Sequence, residues 1–304
     1  MESSPKTPPF ARHHPAICLA PGLFESLANG ARADSRERVA LANQTLDGAE
    51  HVFEGAGPLG MDDLRVLQGV YMLASQPSAN VELEVSAPRS ETGRALADLL
   101  SVRAAPGVPT LAKFVTFNVA ALAEAAGYGK AAGGTRTIVA ASLRRLAEVE
   151  VAVIRDGVET LRSRMLASTP LVDGEACGPR HNSALALSPA LSTTVITGVK
   201  GVRHCRIESG EIAALGRSGA ARALHQRLCA FVDPGKTHRV SLKTLAGYAF
   251  GETDVENTSK RRLGDIRSAM ETLAGLPGWK LTHDGVEGKW RVYMVSRPKP
   301  AAKA

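Results

Sequence analysis

Lys260, Arg261 and Arg262 set three cations side by side, and Arg267 adds a fourth within two helical turns. The chemistry such residues offer is non-covalent. A guanidinium fork can grip guanine through two acceptors, and the nearby Asp265 can accept from cytosine. Their spacing supports that use. Leu263, Ile266, Met270 and Leu273 recur at three, four and three residues and predict one amphipathic helix. At 100° per residue the face opposite this stripe carries Thr258, Arg261, Gly264, Asp265 and Ser268, flanked by Ser259, Lys260, Arg262 and Arg267. The competing reading is an ordinary solvated helix in which Arg261 pairs with Asp265 across one turn. Leu276, Pro277 and Gly278 end the helix. Two strands are then expected, Trp279 to Thr282 and Lys289 to Val295, with Asp284-Gly285 as the turn signal between them. Lys289 and Arg291 would meet phosphates from that hairpin.

Covalent chemistry finds less support. Gly235-Lys236-Thr237 resembles the end of a phosphate-binding loop, but the first glycine of that motif falls at Ala230. A helix also precedes this stretch and a strand follows, the reverse of what the motif needs. Lys236 reads instead as a phosphate-backbone contact or a plain surface residue. His225 has no neighbour with catalytic logic in sequence and reads as a hydrogen-bonded structural histidine. The four cysteines, Cys18, Cys177, Cys205 and Cys229, form no CxxC pair, and no HExxH occurs. No catalytic residue, cofactor or metal is expected, and Cys229 falls on an apolar helix face.

Positioning these residues takes more than one helix. Ala220 to Phe231 predicts a helix, Asp233-Pro234-Gly235 a turn and Val240 a strand, with Ser241 or Thr244 capping a helix that reaches Tyr248. The basic helix and its hairpin complete this set. A similar set occurs earlier. Leu64, Leu67, Gln68, Tyr71 and Met72 form a helical stripe, Phe114 to Phe117 a strand, and Asn118 caps a helix to Ala126. A helix from Thr135 to Val149, a strand Val151 to Ile154, a turn at Asp156-Gly157 and a returning strand Leu161 to Leu166 follow. Leu122-Ala123 answers Leu245-Ala246, Leu146-Ala147 answers Leu273-Ala274, and Asp156-Gly157 answers Asp284-Gly285. This order predicts a degenerate internal duplication. The outer face of the earlier third helix is poorer in cations, with Arg136, Thr137 and Arg144 as its candidate contacts. The second set is therefore the expected main reader of bases.

Apolar residues make up 44% of the 304, enough for about two ordinary domains, while aromatics at 4% argue against a base-stacking single-strand binder. The net charge of +7 favours an anionic partner. With no transmembrane run or signal segment, a cytoplasmic protein is expected. The expected fold class is α+β, helix-rich, with two tandem winged-helix domains. Residues 1–57 form an N-terminal extension, disordered to residue 14 and holding a β-hairpin around Asp47-Gly48. In Ala16 to Leu27 a turn at Pro21-Gly22 leads to a short helix. Residues 58–200 form the first domain, 201–297 the second, and 298–304 a disordered basic tail, with Arg297 to Ala304 read as one basic, Pro-containing run.

The stretches His13–Leu27, Pro58–Gly69 and Leu224–Thr237 resemble the replication protein C of IncQ-type plasmids. The likeness is collinear from about His13 to Pro298. It departs over 76–110, over 168–200 and in the basic helix, where Leu263-Gly264-Asp265 stands in place of denser cations. The resemblance implies a non-enzymatic initiator that binds directly repeated double-stranded DNA, the iterons, at a plasmid origin. It also implies origin opening, recruitment of a plasmid-encoded helicase and primase, and self-association as a dimer through the first domain. The alternative from the residues is a dimeric winged-helix transcriptional regulator, which would favour a palindromic site over direct repeats.

Overall fold

Polar caps and apolar periodicity decide where the elements begin and end. The computed structural model describes residues 10–26, 39–57, 59–76, 81–129, 133–170, 183–196, 202–216, 218–251, 259–288 and 290–299. It opens on strand β1 (Phe10–His13), which turns at His14 into α1 (Pro15–Leu19). His14 Nδ1 accepts the Ala16 N–H at 3.3 Å, and Pro15 occupies the first helical position, where no N–H is required. The hairpin β2 (Val39–Leu46) and β3 (Ala49–Gly55) follows. Asp47 and Gly48 close it with φ of 50° and 76°, the left-handed pair that a two-residue turn demands.

The first three-helix unit begins with α2 (Met61–Ala74). Strand β4 (Val81–Glu84), α3 (Glu91–Leu100) and β5 (Arg103–Ala104) intervene before β6 (Leu111–Phe117), α4 (Val119–Ala125) and α5 (Gly133–Glu148). Asn118 caps α4, its Oδ1 accepting from the Ala121 N–H at 2.7 Å. The hairpin β7 (Glu150–Arg155) and β8 (Val158–Arg164) turns at Asp156 and Gly157, both left-handed. Then come β9 (Leu166–Pro170), β10 (Ser183–Leu187) and α6 (Pro189–Ser192), and after them β11 (Cys205–Glu208) and α7 (Ser209–Ala214). The second unit comprises α8 (Gly219–Phe231), β12 (Thr237–Ser241), α9 (Leu242–Phe250), α10 (Lys260–Ala274), β13 (Lys280–Glu287) and β14 (Trp290–Ser296).

The result is a mixed α/β architecture with several antiparallel sheets. Strand order is β1-β11, β4-β6-β10-β9, β12-β14-β13 and β2-β3-β7-β8-β5. In each unit the three helices pack on one another, α2 with α4 and α5, and α8 with α9 and α10. The two leading helices also meet. Gln68 Nε2 donates to Gln226 Oε1 at 3.0 Å in the interior, and each glutamine stands seven residues beyond the start of its helix. One continuous apolar core runs through both units. A smaller cluster of Leu83, Leu96, Leu100 and Phe114 lies beneath α3.

Element order therefore recurs between the units, but sheet pairing does not. In the second, β12 pairs with β14. In the first, β6 pairs with β4 and β10 rather than with β8, while β7 and β8 are flanked by β3 and β5. A second recurrence was not visible in the sequence. The corner His14-Pro15-Ala16 between β1 and α1 has a counterpart in Ser188-Pro189-Ala190 between β10 and α6, where Ser188 Oγ accepts the Ala190 N–H at 3.1 Å.

Four local expectations change. Residues 10–14 are ordered, because β1 pairs with β11 and His13 stacks on Tyr71 with ring centroids 4.5 Å apart. The helix of this region precedes the Pro21-Gly22 turn instead of following it. Asp284 and Gly285 do not end β13; they lie at a register shift between His283 and Val286, and the strand continues to Glu287. Arg297 is 5% exposed and no part of a solvated tail. Its guanidinium donates to the carbonyls of Cys229 at 2.8 Å and Val232 at 3.3 Å, and to that of Arg206. The fold also carries more strand than a helix-rich composition suggested, since short runs of alanine, leucine and serine in the middle of the chain pair in sheets.

Candidate nucleic-acid interface

Helix α10 is held by its apolar side. Ile266, Ala269, Met270 and Leu273 are buried, and Leu263 packs against them. Each fully buried side chain of this size contributes about 1.5–3 kcal/mol, so the helix cannot rotate its stripe outward cheaply. Ser259 starts the helix, its Oγ accepting the Arg262 N–H at 3.2 Å. The opposite face is then fixed by geometry. Lys260, Arg261, Gly264, Asp265, Arg267 and Ser268 are exposed together, as the spacing predicted. The first turn contains no acid. Cations at the positive end of a helix dipole are unfavourable in isolation, so this end is suited to an anion that lies against it.

Within this face the residues divide. Among the described residues Arg261 and Asp265 have no ion-pair partner, so the pairing across one turn is not formed. Arg262 turns back. Its guanidinium lies 5.1 Å from the Phe250 ring centroid, and its charge opposes the upward push that burial gives the Glu25 carboxyl. Arg267 remains exposed one turn further along. Thr258 and Lys289 lie outside the described residues.

The hairpin beside α10 is free on one side, because β13 is an edge strand. Arg291 is exposed on β14, opposite Val286. Arg239, on β12, was not singled out in the sequence. It donates to Asp284 at 2.9 Å and lies 3.5 Å from Glu287, so the hairpin's two acids are answered by an arginine of the neighbouring sheet strand. Lys236 is exposed on the turn ahead of β12. The neighbouring backbone is already committed: Gly235 N–H donates to Arg297 O at 3.1 Å, and Lys236 N–H to Asp233 O at 2.9 Å. A loop whose amides are spent internally, between helix α8 and strand β12, is no phosphate cradle.

The first unit offers a different surface. Arg136, Thr137 and Arg144 are exposed on α5, with Ile138 and Ala140 between them. Arg145, the next residue, is drawn inward and its Nε donates to Asp63 Oδ1 at 2.9 Å; Asp63 also accepts the Gly60 N–H at the start of α2. The hairpin β7–β8 lies inside a five-stranded sheet. Arg162 joins Glu54, Glu150 and Glu159 across it, and the Arg162 bond holds the Glu159 carboxyl below its ordinary range.

His225 is buried and hydrogen-bonded, as expected of a structural histidine, and tertiary packing sets an acid and a cysteine beside it. Its Nε2 lies 2.8 Å from Glu211 Oε2 and 3.5 Å from Cys229 Sγ, and Trp279 Nε1 donates to Glu211 Oε1 at 2.6 Å. Burial pushes the Glu211 carboxyl up, but bonds from His225 and Trp279 outweigh it and leave the group below its usual value. The thiol is a poor nucleophile, since burial drives Cys229 well above the ordinary range. Cys229, four residues on, was legible as a neighbour; Glu211 was not, because α7 reaches it only through tertiary packing.

A family model described as Replication protein C (RepC) matches residues 7–299. The chain belongs to the replication protein C family. The match spans every element from β1 to β14 and so takes in both three-helix units. Membership in RepC implies a plasmid replication initiator. No curated protein matches the chain. Among the described residues no helix is long and apolar enough to cross a membrane.

Proposed function

We propose that this RepC protein initiates plasmid replication in the cytoplasm by binding directly repeated double-stranded DNA at the origin, with α10 in the major groove. The reading treats residues 58–200 and 201–297 as two winged-helix domains of common descent, the second being the main reader. The order α8-β12-α9-α10-β13-β14 with sheet order β12-β14-β13 supports a winged helix there, and the altered pairing of β6 makes the first a divergent copy. The observation that carries the proposal is the outer face of α10. Arg261, Asp265, Arg267 and Ser268 stand exposed and, among the described residues, outside any ion pair, opposite a buried stripe, in a chain of the RepC family. Arg261 lies in the first helical turn, where a groove-inserted helix meets base edges. Arg291 and Lys289 of the hairpin, with Lys236, take the flanking phosphates; Arg136, Thr137 and Arg144 of α5 make auxiliary contacts.

Bound at the repeats, the protein opens the origin and recruits the plasmid helicase and primase, without catalysis of its own. The first unit mediates dimerisation. The experiment is fluorescence anisotropy with duplexes carrying direct repeats from beside the gene, the same repeats scrambled, and a palindrome of one half-site. Preference for the direct repeats by two orders of magnitude or more is expected. Equal affinity for the scrambled duplex defeats the proposal, and preference for the palindrome replaces it with a dimeric transcriptional regulator.

A further inference from the structure

Three of the cysteines, Cys18, Cys205 and Cys229, are buried free thiols brought from distant segments to one locality. Cys18 on α1 hydrogen-bonds to Cys205 on β11, and both lie close enough to Cys229 for charge on one to bear on the other. At this place α8 presents His225 and Cys229 one turn apart on its inner side, and α7 brings Glu211. The Glu211 Oε2, His225 and Cys229 Sγ donor atoms all lie within 4.8 Å of one another. Two of the separations are 2.8 and 3.5 Å. Metal–nitrogen and metal–oxygen bonds of about 2.0–2.1 Å and a metal–sulfur bond of about 2.3 Å give tetrahedral edges of roughly 3.3–3.7 Å. The His225–Cys229 separation already lies in that range, and the His225–Glu211 pair, now at hydrogen-bond distance, must part by about half an ångström to admit the ion.

Two further features point to a ligand. The first is unused donor capacity. His13 is 1% exposed, stands opposite Cys205 across the β1–β11 ladder, and has no hydrogen-bond partner at either ring nitrogen; His225 Nδ1 also has none. Protein cores rarely leave buried imidazoles unsatisfied. The second is the orientation of Glu211. Trp279 Nε1 holds Oε1 and leaves Oε2 turned to His225, which is how an outer-shell bond fixes a ligating carboxylate.

We propose that Glu211, His225 and Cys229 bind a thiophilic divalent ion as a three-donor site. The mixed sulfur, nitrogen and oxygen donors fit zinc and not magnesium or calcium, which take oxygen ligands. The ligating thiol gives its proton to solvent as its sulfur–metal bond forms. Burial leaves no open position for a substrate, so the ion is structural. It fastens α7 to α8 and, through Trp279, anchors the foot of the β13–β14 hairpin.

The test uses the full chain, purified without metal-chelating resin, and measures metal content by mass spectrometry. Stoichiometric zinc is expected. After chelator dialysis the thermal midpoint should fall and should be restored by zinc but not by magnesium. Cobalt(II) in place of zinc should give a thiolate charge-transfer band, lost in Cys229→Ser and Glu211→Gln. If those variants fail to fold, the wild-type metal content and cobalt spectrum decide. Metal-free protein with no cobalt band and no zinc-dependent midpoint overturns the site. So does stoichiometric metal that persists in folded Cys229→Ser and His225→Gln proteins, which places the ion elsewhere.

Discussion

The two three-helix units share an element order and a helix-packing scheme, yet they dispose of their charges in opposite ways. In the first, Arg145 of α5 is drawn to the buried Asp63, and the hairpin that follows is enclosed by β3 and β5. In the second, Arg261 and Arg267 of α10 stand free, and the hairpin ends the sheet. The first unit ties an arginine of its third helix into the interior, and the second leaves two arginines of its third helix exposed. The same order of helices thus carries two different arrangements of charge.

The strongest test of that equivalence lies in the cores. Leu146 of α5 and Leu273 of α10 are both fully buried at matching positions. Replacing either by alanine should cost about 2–5 kcal/mol in denaturant unfolding. A far smaller loss at one position would show that the two cores are not built alike. The next contrast has no counterpart in the second unit. Asp63→Ala removes the carboxylate that binds Arg145 and caps α2, and should destabilise by about 3 kcal/mol. Loss of DNA affinity without loss of stability would make this pair part of the reader.

The free face should separate by base. Arg261→Ala should weaken binding by roughly 1–3 kcal/mol and relax preference at one base-pair position. Arg291→Ala should weaken all duplexes alike and lower the salt slope by about one unit. Arg144→Ala should do less than either. Anisotropy on singly substituted duplexes over a salt series checks all three, and an Arg261→Ala loss that is equal on every duplex reduces that residue to a phosphate contact.

The smallest effect sharpens the comparison of the two Pro corners. His14 caps α1 through an unprotonated Nδ1, and burial, with the charge of His51, pushes its pKa down to about 3. A folded-state value below the unfolded 6.5 means that the unfolded chain binds the proton more readily. The contribution of His14 is therefore complete above about pH 6.5 and is lost as pH falls toward 3. At pH 5.5 the loss is on the order of 1 kcal/mol. His14→Ser copies the Ser188 corner, which keeps the cap and cannot titrate. Unfolding at pH 7.5 and 5.5 should show the slope shrinking in that variant; an unchanged slope assigns it to other groups.

The helices of both units were readable because strong periodicity coincides with caps: Asn118 and Ser241 each start the helix expected of them. The outer face of α10 follows from the same arithmetic. What escaped depends on remote partners. Phe10–His13 looks like a polar tail until Cys205–Glu208 lies beside it. Asp284-Gly285 carries a sound turn signal, but the ladder absorbs it as a bulge because the partner strand extends to Trp290. Arg262 looked equal to Arg261 until Phe250 took it, and nothing in a linear reading sets Glu211 against His225.

The pairing of β1 with β11 has a consequence for biosynthesis. Roughly two hundred residues separate the two strands. At about 5–20 residues per second, a ribosome needs about 10–40 s to deliver the partner after β1 has been made. Throughout that interval His13 can stack on Tyr71 while the backbone of β1 remains an open edge. Strand β1 is thus made long before it can close, and the nascent chain is most exposed to wrong pairing just before its second unit emerges.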